Sequence, residues 1–293
     1  MATPRTSSSG FTCLCLALQR SASEKESEMG LFVVTHASLN VPCNTVEEFK
    51  AKYVQQELLH DGGFGRVYSC VRRSDNLPCV VKVVSFQMYD IFWRDTPYED
   101  DMYIVMLRYE TDLLELVVQP PAERGPLRKS EKQRVFLRTV LAVQILHENA
   151  IIHRDLKLEN ILLKQANDMD TAVLADFGCA RVVPPDLGSF STRIGTTAFW
   201  APEMVSGIDS YTHKVDIWML GCLLYTLWTG SFPFGRPEHP RWRANVITAS
   251  WPKTLIDDAH VLDLITHCLL VDPEQRPDIG RIRTHSFFVN NYD

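Results

Sequence analysis

The chain has 293 residues, 45% hydrophobic and 23% charged, with a net charge of −6 from 30 lysines and arginines against 36 aspartates and glutamates. That length accommodates one large domain or two lobes, and the acidic balance argues against a nucleic-acid-binding face while suiting basic peptide partners. No apolar run approaches the roughly 20 residues that a membrane-spanning helix needs.

Residues 1–45 are rich in Ser and Thr and contain the charged stretch "SASEKESE" (Ser21–Glu28), so they are expected to be a disordered leader. Inside it, "FTCLCLAL" (Phe11–Leu18) has the form of a short signal h-region, but no small-residue cleavage pattern follows. The eight cysteines, at 13, 15, 43, 70, 79, 179, 222 and 268, include no Cys-x-x-Cys pair. Several sit in apolar runs, as reduced core residues do, and no zinc site is expected. A reducing compartment follows, cytoplasmic with the nucleus as a second location.

From Tyr53 the pattern changes. "YVQQELLHDGGFGRVYSCVRR" alternates apolar and polar residues around a Gly-rich turn, as a strand–turn–strand does. "LPCVVKVVSF" is a further β-branched strand. The next stretch reads as two strands, Gln87–Arg94 and Met102–Leu107, around an acidic turn at Asp95–Asp101. From Ser130 the period becomes helical. "SEKQRVFLRTVLAVQILHENA" (Ser130–Ala150) opens on a Ser cap and sets Val135, Phe136, Val140, Val143, Ile145 and Leu146 on one broad face. Further helices are expected over Lys214–Thr229 and Ala259–Leu270. Strands followed by helices predict an α+β chain, with a small β-rich lobe over 53–107 and a larger helical lobe over 110–288.

The stretch "IIHRDLKLENILL" (Ile151–Leu163) carries the strongest chemistry. Asp155 can accept a hydroxyl proton, Lys157 can neutralise a phosphoryl oxygen, and the carbonyl of Asn160 can hold a metal ion. In "VLADFGCA" (Val173–Ala180), Asp176 follows a strand-like run and precedes Gly178. A carboxylate there can hold Mg²⁺ against phosphates. Taken alone, an Asp-Phe-Gly is more often an ordinary turn after a strand.

The ordered set His153-Arg154-Asp155 with Lys157 and Asn160, then Asp176-Phe177-Gly178, then Ala201-Pro202-Glu203, resembles the eukaryotic protein kinases of the serine/threonine type. The resemblance runs from about Tyr53 to Phe288. It implies a two-lobed fold with ATP between the lobes and transfer of the ATP γ-phosphoryl group to Ser or Thr hydroxyls of protein substrates. Asp155 would take the hydroxyl proton, Lys157 and Lys82 would assist catalysis, and Asn160 and Asp176 would hold Mg²⁺. The Gly-rich pattern falls on "HDGGFGRV", with His60 in place of the first glycine. By resemblance the nucleotide would meet Leu59, Gly62, Gly63, Phe64, Gly65, Val67, Val80, Lys82 and Asp112. Val80 stands where the family usually has Ala, adding two methyl carbons over the base.

The same resemblance makes Thr192 a candidate phosphorylation site with Arg154 as its partner, and Thr196 the hydroxyl that bridges Asp155 and Lys157. Asp216 would hold the backbone around His153 and Arg154, and Arg276 would pair with Glu203. Glu115 and Glu159, with Asp112, suit a substrate that is basic upstream of its phosphoacceptor; the bland alternative is a solvated acidic rim. "GGFGRVYSCVRRSDNLP" (Gly62–Pro78) and "ERGPL" (Glu123–Leu127) are similar to the PIM branch of the calmodulin-dependent-like group, whereas "GTTAFWAPE" departs from it.

One family part has no room. Kinases carry a helix after the Lys strand, whose Glu pairs with that Lys. Met106 lies 24 residues beyond Lys82 (106 − 82). The two strands read there leave no residues for the helix, and Glu99, Asp100 and Asp101 are the only acids available. Three readings follow: a variant lacking one exon, a catalytically impaired kinase-like interaction module, or a chain whose partner supplies the missing contacts.

Overall fold

The computed structural model describes residues 15–20, 29–34, 51–62, 65–76, 78–85, 101–107, 109–120, 122–183, 194–207 and 211–289. The chain falls into two compact units, one of residues 1–13 and 34–108 and the other of residues 14–33 and 109–293. Within the expected leader, two strands, β1 (Cys15–Arg20) and β2 (Met29–Val34), pair in a two-stranded sheet. "CLALQR" and "MGLFVV" are apolar runs with strand propensity, set apart by the charged stretch that dominates the composition of the region.

The first unit holds a four-stranded sheet in the order β3 (Tyr53–Gly62), β4 (Gly65–Arg72), β5 (Pro78–Ser85) and β6 (Asp101–Leu107). All three pairings are antiparallel. Gly62 pairs with Gly65; Gly63 and Phe64 lie outside the described residues. Two register shifts, between Gln55 and Leu58 and between Leu58 and His60, bend β3 around Leu59. Lys82 pairs with Val67 on one side and Ile104 on the other, and Val80 pairs with Met106. Asp101, expected in a turn, instead opens β6 opposite Ser85, because the ladder continues to the end of β5. The expected strand Gln87–Arg94 lies outside the described residues.

From Tyr109 onward the second unit has β7 (Thr111–Asp112) and the short helix α1 (Leu113–Val118). Helix α2 (Lys129–Glu148) follows. Its cap is Arg128 rather than Ser130. Glu131 reaches back to the Arg128 N–H at 2.9 Å, and Arg124 and Arg128 both pair with its carboxylate. The helix buries Val135, Phe136, Thr139, Val140, Ala142, Val143 and Leu146, while Ile145 is only half-buried.

Strand β8 (Ile151–Ile152) leads into a loop and then β9 (Ile161–Leu163), which pairs antiparallel with both β10 (Ala172–Leu174) and β7. Strand β11 (Arg181–Val182) pairs back on β8. Beyond these come α3 (Pro202–Ser206), α4 (Lys214–Thr229), α5 (Trp242–Ile247), α6 (Ala259–Cys268), α7 (Ile279–Arg283) and α8 (Ser286–Val289).

Helix α4 is the axis of the core. It is buried from Lys214 through Leu227, so apolar residues surround it on all sides, as a helix inside a protein requires. Helix α6 buries Val261, Leu264, Ile265 and Cys268, the i, i+3, i+4, i+7 stripe of a helix packed on one face. The two helices meet at Gly221, where an added Cβ would stand 2.7 Å from Cys268 Cβ.

Candidate active site

The loop between β8 and β9 is built around one buried carboxylate supplied by α4. Asp216 accepts the backbone N–H of His153 at 2.9 Å and of Arg154 at 2.8 Å, and its Oδ2 meets His147 Nε2 at 2.9 Å. Burial pushes the Asp216 pKa upward, but the His147 hydrogen bond and the neighbouring imidazoles outweigh it and hold the group below the usual carboxylate range. This grip keeps Arg154 at φ +66°, a left-handed conformation that a non-glycine residue adopts only when its surroundings impose it.

Past that bend the functional side chains converge. Asp155 is 2% exposed. Its Oδ1 accepts the Thr196 N–H at 2.7 Å, and its Oδ2 lies 3.3 Å from Lys157 Nζ. Lys157 Nζ also donates to Thr196 Oγ1 at 2.8 Å, closing a ring of three residues. Asn160 Nδ2 donates to the Asp155 carbonyl at 2.7 Å and to its Oδ2 at 3.2 Å, which fixes the amide plane.

The β9–β10 hairpin carries the second acid. Asn160 precedes β9 and Asp176 follows β10, and the Ala175 N–H donates to the Asn160 carbonyl at 2.8 Å. Both residues therefore stand at one end of the hairpin. Asp176 sits at φ +57° with its carboxylate accepting the Gly178 N–H at 3.2 Å. The His153 ring packs edge-on against Phe177 at 5.1 Å. Its Nε2 meets the Ala175 carbonyl at 3.1 Å and its Nδ1 accepts the Asp155 N–H at 3.3 Å. An imidazole that accepts at one nitrogen and donates at the other is neutral, and burial lowers the His153 pKa accordingly.

Two groups of the same unit hold Arg154. Its side chain is buried, with Nε donating to the Cys179 carbonyl at 2.6 Å and Nη1 to Tyr211 Oη at 3.2 Å. Thr192 lies outside the described residues. The Cys179 thiol is pushed up to about 12 by burial and then by the charges of Asp155 and Asp176, so it is a neutral packing group.

Glu203 and Arg276 meet as expected, at 2.7 and 2.8 Å. Asp112, read as a ribose contact, caps α1 by accepting the Glu115 N–H at 2.9 Å. Its carboxylate is drawn there because a helix start leaves N–H groups without partners. Glu115 is exposed and receives the Thr111 hydroxyl at 2.7 Å, while Glu159 is half-buried beside Asn160. Leu59, Gly62, Gly65, Val67, Val80 and Lys82 belong to the sheet of the other unit, where register alone is described.

Four contributors escaped the sequence reading. His147, Cys179 and Tyr211 act across 25 to 69 residues of chain. Gly195 had a readable signal, a glycine in the polar run before Thr196. It takes φ +91°, and an added Cβ would lie 2.2 Å from the Arg154 carbonyl oxygen.

Comparison with known proteins agrees with this geometry. The protein kinase domain family model matches residues 86–288. The chain is similar to the carbon catabolite-derepressing protein kinase of Secale cereale, 34% identical over 191 residues, 65% of this chain and 36% of that protein. It is similar to the SNF1-related protein kinase catalytic subunit alpha KIN12 of Arabidopsis thaliana, 33% identical over 219 residues, 72% of this chain and 42% of that protein. It is similar also to the serine/threonine protein kinase OSK3 of Oryza sativa subsp. indica, 32% identical over 203 residues, 69% and 38%. The chain spans between 24% and 42% of the length of the curated relatives it matches.

Proposed function

The chain belongs to the protein kinase domain family, and we propose on that premise that it transfers the γ-phosphoryl group of ATP to Ser or Thr hydroxyls of protein substrates. The ring formed by Asp155, Lys157 and Thr196 carries the reading. Asp155 takes the proton of the attacking hydroxyl, held in place by the Thr196 N–H and Asn160 Nδ2. Lys157, bridging Thr196 and Asp155, lends its charge to the transferring phosphoryl oxygens.

Asn160 and Asp176 fit Mg²⁺: Asn160 has a side-chain carbonyl oxygen beside the amide nitrogen that bonds Asp155, and Asp176 has carboxylate oxygens, the hard donors that this ion takes. Bound there, the ion would neutralise charge on the phosphates. A basic residue upstream of the phosphoacceptor suits Glu115 and Glu159, one exposed and the other half-buried. Asp112, engaged as a helix cap, is left out of this group.

A second reading rests on one observation. The family match begins at residue 86, beyond the Gly-rich turn and Lys82, and β6 pairs directly on β5. On that reading the chain is an impaired kinase-like module that binds a partner. The experiment is transfer of labelled phosphate from Mg·ATP to a peptide with arginines upstream of a serine. Transfer that disappears in Asp155→Asn supports the enzyme. Transfer no higher than in Asp155→Asn at saturating ATP sinks it in favour of the binding module.

A further inference from the structure

Helix α6 and the turn between α7 and α8 bring two imidazoles onto one carboxylate. Asp263 and His267 are four residues apart on α6, so their side chains share a face. His285 arrives from a different segment, between α7 and α8. Its Nε2 lies 2.8 Å from Asp263 Oδ2, and His267 Nδ1 lies 3.5 Å from Asp263 Oδ1. One ligand atom from each residue falls within 4.8 Å of the other two. Asp263 and His267 are about half exposed and His285 is 17% exposed.

We propose that Asp263, His267 and His285 form a binding site for one divalent transition-metal ion of the zinc class. A tetrahedral ion with nitrogen and oxygen ligands at about 2.1 Å sets those ligands roughly 3.4 Å apart. The separations of 2.8 Å to Asp263 Oδ2 and 3.5 Å to Asp263 Oδ1 lie on either side of that value, and the three ligand atoms, all within 4.8 Å of one another, must draw together around the ion. Two imidazoles and a carboxylate are a donor set for zinc, copper or nickel rather than for magnesium or calcium. Three protein ligands leave a fourth position for water, and the exposure of Asp263 and His267 gives the ion a path in.

The metal-free arrangement sets the cost. His285 Nδ1 accepts the Phe287 N–H at 3.1 Å, so Nε2 bears the ring proton and donates it to Asp263. Taking the ion at Nε2 moves that proton to Nδ1 and ends the bond from Phe287. His267 Nδ1 donates its proton to the Asp263 carbonyl, 2.9 Å away; taking the ion there moves that proton to Nε2 and ends the bond. Binding is therefore weaker than at a closed structural zinc site, and reversible. None of the three residues takes part in the proposed phosphoryl transfer.

The test is titration of the purified chain with zinc chloride in a non-chelating buffer, followed calorimetrically, with the visible spectrum of the cobalt(II) form as a second readout. One equivalent should bind, and cobalt(II) should give the intense bands of four-coordination. His267→Ala, at an exposed position, should lower affinity about tenfold or more while leaving the metal-free melting temperature unchanged, and His285→Ala should do the same to affinity. The chain has nine histidines, so His239→Ala, which is exposed and far away in sequence, serves as the control and should bind as the parent does. Absence of binding, unchanged affinity in His267→Ala, or equal loss in His239→Ala overturns the site.

Discussion

Arg276 holds Glu203 with two parallel hydrogen bonds, Nη1 to Oε1 at 2.7 Å and Nη2 to Oε2 at 2.8 Å, with the side chains 0% and 5% exposed. The same guanidinium donates to the carbonyls of Leu270, Lys214 and Val271 and lies over the Trp218 ring at 5.1 Å. One side chain thus ties α3, the start of α4 and the segment after α6 together.

Removing either partner leaves the other charge buried without its counterpart. Glu203→Ala and Arg276→Ala should each lower unfolding stability by about 3–5 kcal/mol, read from urea denaturation. The double variant should lose clearly less than the sum, because the second change removes the stranded charge. Additive losses would show that the two groups are not energetically coupled.

The Thr196 hydroxyl is the only group on that residue that reaches Lys157. Thr196→Val keeps the shape and the backbone N–H to Asp155 but deletes the hydroxyl. Losing a hydrogen bond to a charged group amounts to about 1.5–3 kcal/mol, or roughly ten- to hundredfold in kcat. Thr196→Ser should restore most of it. Equal activity in the Val variant would remove Thr196 from the site.

Gly195 has no room for a side chain. At φ +91°, with an added Cβ only 2.2 Å from the Arg154 carbonyl oxygen, Gly195→Ala must displace either its own loop or the one bearing Asp155. The expected outcome is a loss of phosphoryl transfer greater than tenfold with a modest fall in melting temperature, about 1–3 kcal/mol in stability terms. Full activity in this variant would show that the two loops are not locked together.

His153 sets a pH dependence. Its folded pKa lies below the ordinary 6.5, because burial opposes the charged form. An unfolded chain takes up this proton near pH 6.5 and the folded chain only at lower pH. In the window between, unfolding binds a proton, so stability falls as pH drops below about 6.5, by at most roughly 1.4 kcal/mol per pH unit from this group. Burial also lowers the His213 pKa, which adds in the same direction. Asp216, held low, loses its contribution only in the carboxylate range, further toward acid. His153→Phe preserves the packing on Phe177 without titrating, so its stability should fall less steeply between pH 7 and 5.5 in chemical denaturation. Identical slopes would assign the effect to other groups.

Local sequence made the helical frame legible. Helix α4 runs Lys214–Thr229 as read, and α6 ends two residues short of its expected bound, at Cys268. The cap of α2 was not legible, since Glu131 is drawn to Arg128 by arginines whose approach no local pattern announces. Asp155, Lys157 and Asn160 could be read because their types and spacing suit one chemistry, whereas Thr196 came only with the resemblance. His147 and Tyr211 could not, because a His or Tyr on a helix or at a bridge has many ordinary uses. Only the fold brings His147 to Asp216 and Tyr211 to Arg154.

The described strands of the small sheet are each hydrogen-bonded to their neighbour in sequence, β3 to β4 to β5 to β6. Every step of that ladder closes a short stretch of chain, which is the arrangement that assembles fastest. The second unit is different: His153 finds Asp216 across 63 residues and Glu203 finds Arg276 across 73. During synthesis the sheet can therefore zip as its strands emerge, hairpin by hairpin. The loop between β8 and β9 cannot take its final shape until α4 has been made, and the Glu203 clamp waits for Arg276. Truncation ahead of Arg276 would leave the sheet its full ladder and the Glu203 carboxylate without its partner.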